Sequence, residues 1–159
     1  MPLTPFHLGP GLLLGTLTIR FFNIWAILFG SVVMDIEPVF GIVLTGSSYH
    51  GFLHTILGAI LGSLILAAIL YLLRKPLNSI SLKFKIQQSF SFKILFSSVL
   101  VGWLIHIFFD SLAHPDVFPF WPSTFNPILI GREIYWPLSL IFIILGILGL
   151  IIIYKKIKE

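Results

Sequence analysis

The chain has 159 residues, of which 57% are hydrophobic and only 10% are charged. A soluble domain carries roughly 25% charged residues, so this composition excludes a soluble protein. A net charge of +4 would suggest nucleic-acid binding in a soluble chain, but here the basic residues flank apolar runs, as they do beside membrane helices. We therefore expect one membrane-embedded domain over residues 1–159 that does not bind nucleic acid.

The N-terminal part of the chain predicts two short helices. Residues 1–19 contain no Asp, Glu, Lys or Arg, and three prolines interrupt them, so we expect an irregular helix from Thr4 to about Arg20. Residues 21–34 form a second uncharged run of 14 residues. Because a helix needs about 20 residues to cross a bilayer, this pair is expected to form a tilted or partly inserted hairpin.

Three longer runs predict full membrane spans, at residues 51–73, 94–113 and 134–154. In the first of them, Gly58 and Gly62 form a GxxxG pair, which permits close contact between helices. Ser47 or Ser48 could cap that helix. The expected fold is therefore an all-α integral membrane protein of about five helices, two short and three spanning.

Alternating these five helices across a bilayer sorts the charged residues. Nine of the ten basic residues fall on one side, which the positive-inside rule makes cytoplasmic, and Arg132 is the exception. The histidines and five of the six acidic residues fall at or near the opposite ends: His7, Asp35, Glu37, His50, His54, His106, Asp110, His114, Asp116 and Glu133. We therefore expect a polar site at the extracytoplasmic ends of the helices of an inner-membrane protein.

The spacing of the histidines is typical of metal ligands. His50 and His54 are four residues apart, which would place both rings on one helix face. His106, Asp110 and His114 follow one another at the same spacing and would form one stripe. Since the chain has no cysteine, a metal would be held by imidazole and carboxylate groups, which favour zinc, with manganese as the alternative.

The acidic residues after the second helix allow two interpretations. Asp35 could be a metal ligand or could end that helix in water. Glu37 could do either as well, and Pro38 directly after it predicts a turn. We interpret Asp35 as a ligand and Glu37 as the residue that ends the helix.

Arg132 is the only basic residue on the outer side, and it could bind an anionic head group or pair with Glu133 or Asp116. Four large aromatic residues are interpreted as side chains at the membrane interface: Trp103, Trp121, Tyr135 and Trp136.

Five motifs in this order resemble the YdjM-like family of inner-membrane metal-dependent hydrolases: TPFHLG at 4–9, MDIEP at 34–38, HGFLHT at 50–55, HIFFD at 106–110 and FWP at 120–122. Their His, Asp, His, HxxxD order is also similar to that of zinc-dependent phospholipases C and P1-type nucleases. The resemblance implies that a zinc cluster is bound and cleaves phosphoesters. The implied ligands are His7, Asp35, His54, His106 and Asp110.

The predicted function is that of a membrane hydrolase that cleaves a lipid-linked phosphoester at a metal site. In this hypothesis Asp35 or Asp110 orients the attacking water, His50 or His114 protonates the leaving group, and Arg132 binds the head group. Two alternatives remain open at this stage: a carrier of metal ions or small solutes, and a non-catalytic scaffold with a structural metal. Carriers usually show internal repeats and helices broken at the midplane.

Overall fold

The computed structural model describes residues 4–47 and 49–158, and these residues contain helices and no strands. The α-helices are α1 (Leu8–Leu17), α2 (Ile24–Gly30), α3 (Ile36–Thr45), α4 (Ile56–Leu72), α5 (Arg74–Lys83), α6 (Phe92–Ala113) and α7 (Tyr135–Lys158). Short 3-10 turns precede four of them, at Thr4–His7, Val33–Asp35, Phe52–His54 and Arg132–Ile134. The all-α class expected from the sequence is confirmed.

Glycines allow the short N-terminal helices to pack closely on the long ones. A Cβ atom added to Gly9 would collide with the carbonyl oxygen of Phe142, so α1 lies against the backbone of α7. A Cβ atom added to Gly30 would collide with the backbone of Val99, so α2 lies equally close to α6. In each pair the missing side chain lets the helices approach until their backbones touch.

The predicted GxxxG pair contributes only one of its glycines to a contact between helices. Gly62 faces the ring of Trp103 on α6, whereas Gly58 faces the carbonyl group of Phe52 in the preceding turn. Trp103 was expected at the membrane interface, but it is only 3% exposed. Its indole Nε1 donates a hydrogen bond of 2.8 Å to the carbonyl oxygen of Leu53, so it joins the core to the turn before α4.

The lengths of the spanning segments differ from the prediction. Helix α2 ends at Gly30, but the apolar segment does not end near residue 34, because α3 follows directly and Pro38 lies in its first turn, where proline is tolerated. Ile24–Thr45 is therefore one apolar segment of 22 residues, long enough to cross a membrane, as are Phe92–Ala113 and Arg132–Lys158. Helix α4 has only 17 residues and continues into α5 across a 72° bend, so the described residues provide three candidate spans, or four if this bent pair is counted.

Helix α4 begins later than the apolar run predicted. Thr55 caps it, since its hydroxyl oxygen accepts a hydrogen bond of 2.9 Å from the amide of Gly58. Ser47 lies in a bend well before Ile56, where the helix begins, and so is not the cap. Ser48, the other predicted cap, lies outside the described residues.

The basic segments meet at one end of the bundle, as the alternation of spans predicted. Lys156 Nζ donates a hydrogen bond of 2.6 Å to the carbonyl oxygen of Thr16, so the end of α7 lies beside the end of α1. Trp25 Nε1 donates a hydrogen bond of 2.6 Å to Ser81 Oγ, which joins the start of α2 to α5. The histidine-rich end is therefore the opposite one.

We expect a single methyl group added between α1 and α7 to destabilise the protein. Gly9→Ala should lower the melting temperature of the purified protein, because the new Cβ meets the backbone of Phe142, which cannot rotate away. Gly146→Ala is the matched control between the same two helices, since its new Cβ would approach only the Cα of Gly9, at 3.3 Å. Equal melting temperatures for the two variants, measured by thermal unfolding in detergent, would contradict this packing.

Candidate metal centre

The five histidines and four acidic residues form one continuous cluster at the end of the bundle away from the basic segments. Helices α4 and α7 begin there, α6 ends there, and the turns before α1 and α3 reach the same place. Each of its members contacts at least one other member: His7, Asp35, Glu37, His50, His54, His106, Asp110, His114 and Asp116. The convergence of the predicted site residues is therefore observed, with Arg132 at the rim of the same region.

Four buried side chains at the centre of this cluster have the geometry of a metal site. Asp35, His54, His106 and Asp110 each offer one ligand atom, and these atoms lie within 4.8 Å of one another. His106 Nε2 is 2.9 Å from Asp110 Oδ2 and 3.2 Å from Asp35 Oδ1. His54 Nε2 is 3.7 Å and 3.5 Å from the same two oxygens. Ligands about 2.0–2.1 Å from a tetrahedral ion lie about 3.3 Å apart, so these separations fit one ion.

Helical spacing explains only half of this set. His106 and Asp110 lie one turn apart on α6 and face the same way, as predicted. Asp35 ends the 3-10 turn before α3, and His54 ends the turn before α4. The prediction that His50 and His54 share a helix face was wrong, because both precede α4, yet the turn still brings their rings to 4.6 Å.

Hydrogen bonds orient two of the histidines toward the centre. His106 Nδ1 donates to the carbonyl oxygen of Ser31 at 2.8 Å, and His54 Nδ1 donates to Glu37 Oε2 at 3.1 Å. Each Nε2 therefore keeps its lone pair and points at the two aspartates. His54 Nε2 is buried and has no hydrogen-bond partner among the described residues, which is the state expected of a ligand.

Glu37 has a role that the sequence did not reveal. It was expected to end a helix in water, but its carboxylate accepts hydrogen bonds from the amides of Gly51 at 2.8 Å and Leu53 at 3.2 Å. The same group accepts from His54, so Glu37 holds the turn that carries this histidine. The only sequence signal for this role was its place two residues after Asp35.

His114 lies outside the helical stripe that was predicted for it. Helix α6 ends at Ala113, and His114 follows in an extended conformation with φ −112° and ψ 113°. Its ring nevertheless lies 4.6 Å from that of His50, and the residue is 7% exposed. Burial lowers the pKa of His114 to about 4, so its ring is neutral at pH 7 and can act as a ligand.

His50 is oriented by Asp116, an acidic residue that was expected on the outer side but was not assigned as a ligand or a catalytic group. Asp116 Oδ2 accepts hydrogen bonds from His50 Nδ1 at 2.8 Å and from its backbone amide at 3.1 Å. Burial of Asp116 opposes its ionisation, but the hydrogen bonds from His50 outweigh it and hold the pKa of this carboxyl below its usual range. The spacing HPD at 114–116 was the available signal in the sequence.

His7 lies at the edge of the cluster. Its Nε2 is 3.2 Å from Asp110 Oδ1, and its ring stacks on that of His106 with centroids 3.9 Å apart. It contributes to neither set of ligand atoms that lie within 4.8 Å of one another. Its assignment as a metal ligand therefore stays a prediction.

Charge balance in the cluster requires a cation. Asp35 and Asp110 are only 6% and 3% exposed, and a buried carboxylate is costly without a compensating charge. Within residues 4–47 and 49–158, every ion pair of these two aspartates involves a histidine, and none involves a lysine or an arginine. Protonated imidazole or a metal ion would supply the missing charge.

A cavity of about 710 Å³ opens beside the cluster. It is lined by Tyr49, His50, His114, Asp116, Arg132, Tyr135 and Trp136. Of the two alternatives for Arg132, pairing with Glu133 or Asp116 is not observed, since the part of the chain that the structure describes contains no ion pair of this guanidinium. Arg132 is exposed and lines the cavity.

Comparison with known proteins supports one family. A family model described as YdjM inner membrane protein matches residues 1–158 of the chain. No curated protein and no solved structure matches it. The family inferred from the five motifs is thus confirmed, while the similarity to phospholipases C and P1-type nucleases stays a prediction.

Proposed function

Since the chain belongs to the YdjM inner membrane protein family, we propose that it is a metal-dependent hydrolase that cleaves a lipid-linked phosphoester. One observation carries the proposal: a buried set of imidazole and carboxylate side chains lies beside a cavity lined by Arg132, which forms no ion pair with the other described residues. A structural metal site would need neither the cavity nor the positive charge. Both are expected where a phosphate group must reach a metal.

The four central residues suit zinc, with manganese as the alternative. Two imidazoles and two carboxylates form a mixed nitrogen and oxygen set that both ions accept. An ion held there would polarise a phosphoryl oxygen and lower the pKa of a bound water. Asp35 contacts the histidines through Oδ1 only, so Asp35 is the better placed of the two aspartates to orient a water molecule.

The cavity suits the head group of a lipid. Arg132 would bind a phosphate through its guanidinium, and Tyr49 and Tyr135 line the same space. Trp136, at the edge of the cavity, begins a stripe along α7 that continues at Leu140 and Ile144, and these three side chains are 77%, 60% and 48% exposed. Residues at this spacing share one helix face, so lipid tails could lie along α7 while the head group enters the cavity.

One observation favours the alternative of a metal carrier. The segment Ile24–Thr45 is interrupted by a 3-10 turn that ends at Asp35, and helices broken at a binding site are typical of carriers. However, Leu95, Val99 and Trp103 are each at most 3% exposed and fill the bundle between the cluster and the basic end. This apolar core separates the cluster from the basic end, so we favour the hydrolase.

The membrane orientation is part of the proposal. The basic residues at the end of the bundle away from the cluster would be cytoplasmic by the positive-inside rule, which places the metal site on the extracytoplasmic side.

We expect Glu37→Gln to weaken zinc binding by roughly 10- to 100-fold, because an amide orients His54 less strongly than a carboxylate does. Glu133→Gln is the matched control, since Glu133 is exposed and makes none of the contacts of the cluster. Isothermal titration of both variants with zinc would test this role. Equal affinities would show that Glu37 does not position a ligand.

The hydrolase hypothesis predicts that the metal-loaded protein releases phosphate or a phosphorylated head group from a lipid in proteoliposomes. Asp110→Asn should abolish release, since Asp110 contacts three of the histidines within 3.7 Å through Oδ2. Arg132→Gln should raise KM more than it lowers kcat, because its guanidinium binds the head group but is not among the residues that would hold the metal. Lys155→Gln removes the same charge at the opposite end of α7 and should change neither constant.

A panel of phospholipids and isoprenoid phosphates would provide the substrates for this assay. If none is cleaved while zinc crosses sealed vesicles in the presence of the protein, the carrier replaces the hydrolase.

We expect single cysteines to report the orientation, since the native chain has none. Thr124→Cys, in the exposed connector before α7, should react with an impermeant thiol reagent added to spheroplasts. Ser79→Cys, on the exposed face of α5, should react only after the membrane is broken. Labelling of Ser79→Cys but not Thr124→Cys in sealed spheroplasts would reverse the orientation.

A further inference from the structure

A second set of possible ligands meets the first one at Asp110. One ligand atom each of His50, Asp110 and His114 lies within 4.8 Å of the others. Both of these histidines line the cavity, whereas His54 and His106 are fully buried behind them. The second set therefore lies between the four-residue cluster and the space where a substrate would bind.

We propose that the protein binds two metal ions that share Asp110, and that the second ion, held by His50, Asp110 and His114, faces the cavity. This inference rests on the proposed function only in that the first ion occupies the cluster of Asp35, His54, His106 and Asp110.

The side chains of the second set are prepared for an ion in the same way as those of the first. His50 Nδ1 donates a hydrogen bond to Asp116. The lone pair of Nε2 is then available, and this atom lies 3.7 Å from Asp110 Oδ2. This repeats the pairing of His54 with Glu37. His114 Nε2 is buried without a hydrogen-bond partner in the described part of the chain, which is costly unless another group binds it.

Asp110 is positioned to serve both ions. Its Oδ2 is 2.9 Å from His106 Nε2 on one side and 3.7 Å from His50 Nε2 on the other. A carboxylate in this position can bridge two ions, which lie about 3.5–4 Å apart in two-metal hydrolytic sites. The residue is 3% exposed, so the two sets of histidines, rather than water, surround it.

The two sets differ in how many ligands the protein supplies. The cluster that contains Asp35 provides four, whereas His50, Asp110 and His114 provide three. Three protein ligands leave a position for water or substrate, as catalytic sites do. The cavity-facing ion is therefore the one that a phosphate bound to Arg132 would meet. In this arrangement His50 and His114 are ligands and do not protonate the leaving group.

The test is the number of ions that the purified protein binds, with manganese and zinc as probes. We expect two equivalents for the wild type after removal of the affinity tag, and one equivalent for His50→Ala and for His114→Ala. Asp110→Asn should reduce binding at both positions. Glu133→Gln, the matched control on an exposed carboxylate, should keep two equivalents. Size-exclusion profiles in detergent identify any variant that does not fold.

Electron paramagnetic resonance of the manganese form gives a second measurement. Two ions that share a carboxylate should show a coupled spectrum in the wild type, and His114→Ala should show the spectrum of an isolated ion. If His50→Ala does not fold, Asp116→Asn keeps the ligand and should weaken the second equivalent by roughly 10- to 100-fold while leaving the first unchanged.

Two outcomes separate this inference from the proposed function. A wild type that binds a single ion, with an uncoupled spectrum and unchanged stoichiometry in His50→Ala and His114→Ala, would overturn the second site and leave a one-metal hydrolase possible. Two coupled ions in a protein that cleaves no lipid would support the second site while the hydrolase hypothesis fails.

Discussion

The structure depends on the burial of the Asp110 carboxylate in an apolar helical bundle. A carboxylate that is 3% exposed must be compensated, and the surrounding elements supply imidazole rings rather than lysine or arginine. His7 approaches Oδ1, while His50, His54 and His106 approach Oδ2. The turns before α1 and α4 and the end of α6 are thus held together by one side chain.

Three of these histidines direct Nε2 at the Asp110 carboxylate because hydrogen bonds hold their Nδ1 atoms in place. The carbonyl group of Ser31 and the carboxylates of Glu37 and Asp116 each accept a hydrogen bond from one Nδ1. The helix core supports this outer layer, since Trp103 packs on Gly62 and bonds to the turn that ends at His54. The close packing of α4 on α6 therefore also fixes the turn that carries His54.

The cluster lies between two different environments, both of which the proposed hydrolase would need. On one side the bundle is filled by apolar residues of α2, α4 and α6, which separate the cluster from the basic end. On the other side lies a cavity with Arg132 and exposed aromatic residues, beside the exposed apolar face of α7. Metal-type ligands at this boundary could meet a charged head group while its tails stay in the bilayer.

The sequence by itself determined the helical class, the separation of basic residues from the histidines, and the pairing of His106 with Asp110. Each follows from composition or from the period of the α-helix, which are local properties. The tertiary structure decided that Glu37 and Asp116 orient His54 and His50, and that His50, His54 and His114 converge from outside the α-helices. These contacts join residues distant in the chain, and one partner of His106 is a backbone carbonyl, which leaves no mark on the sequence because every residue has one.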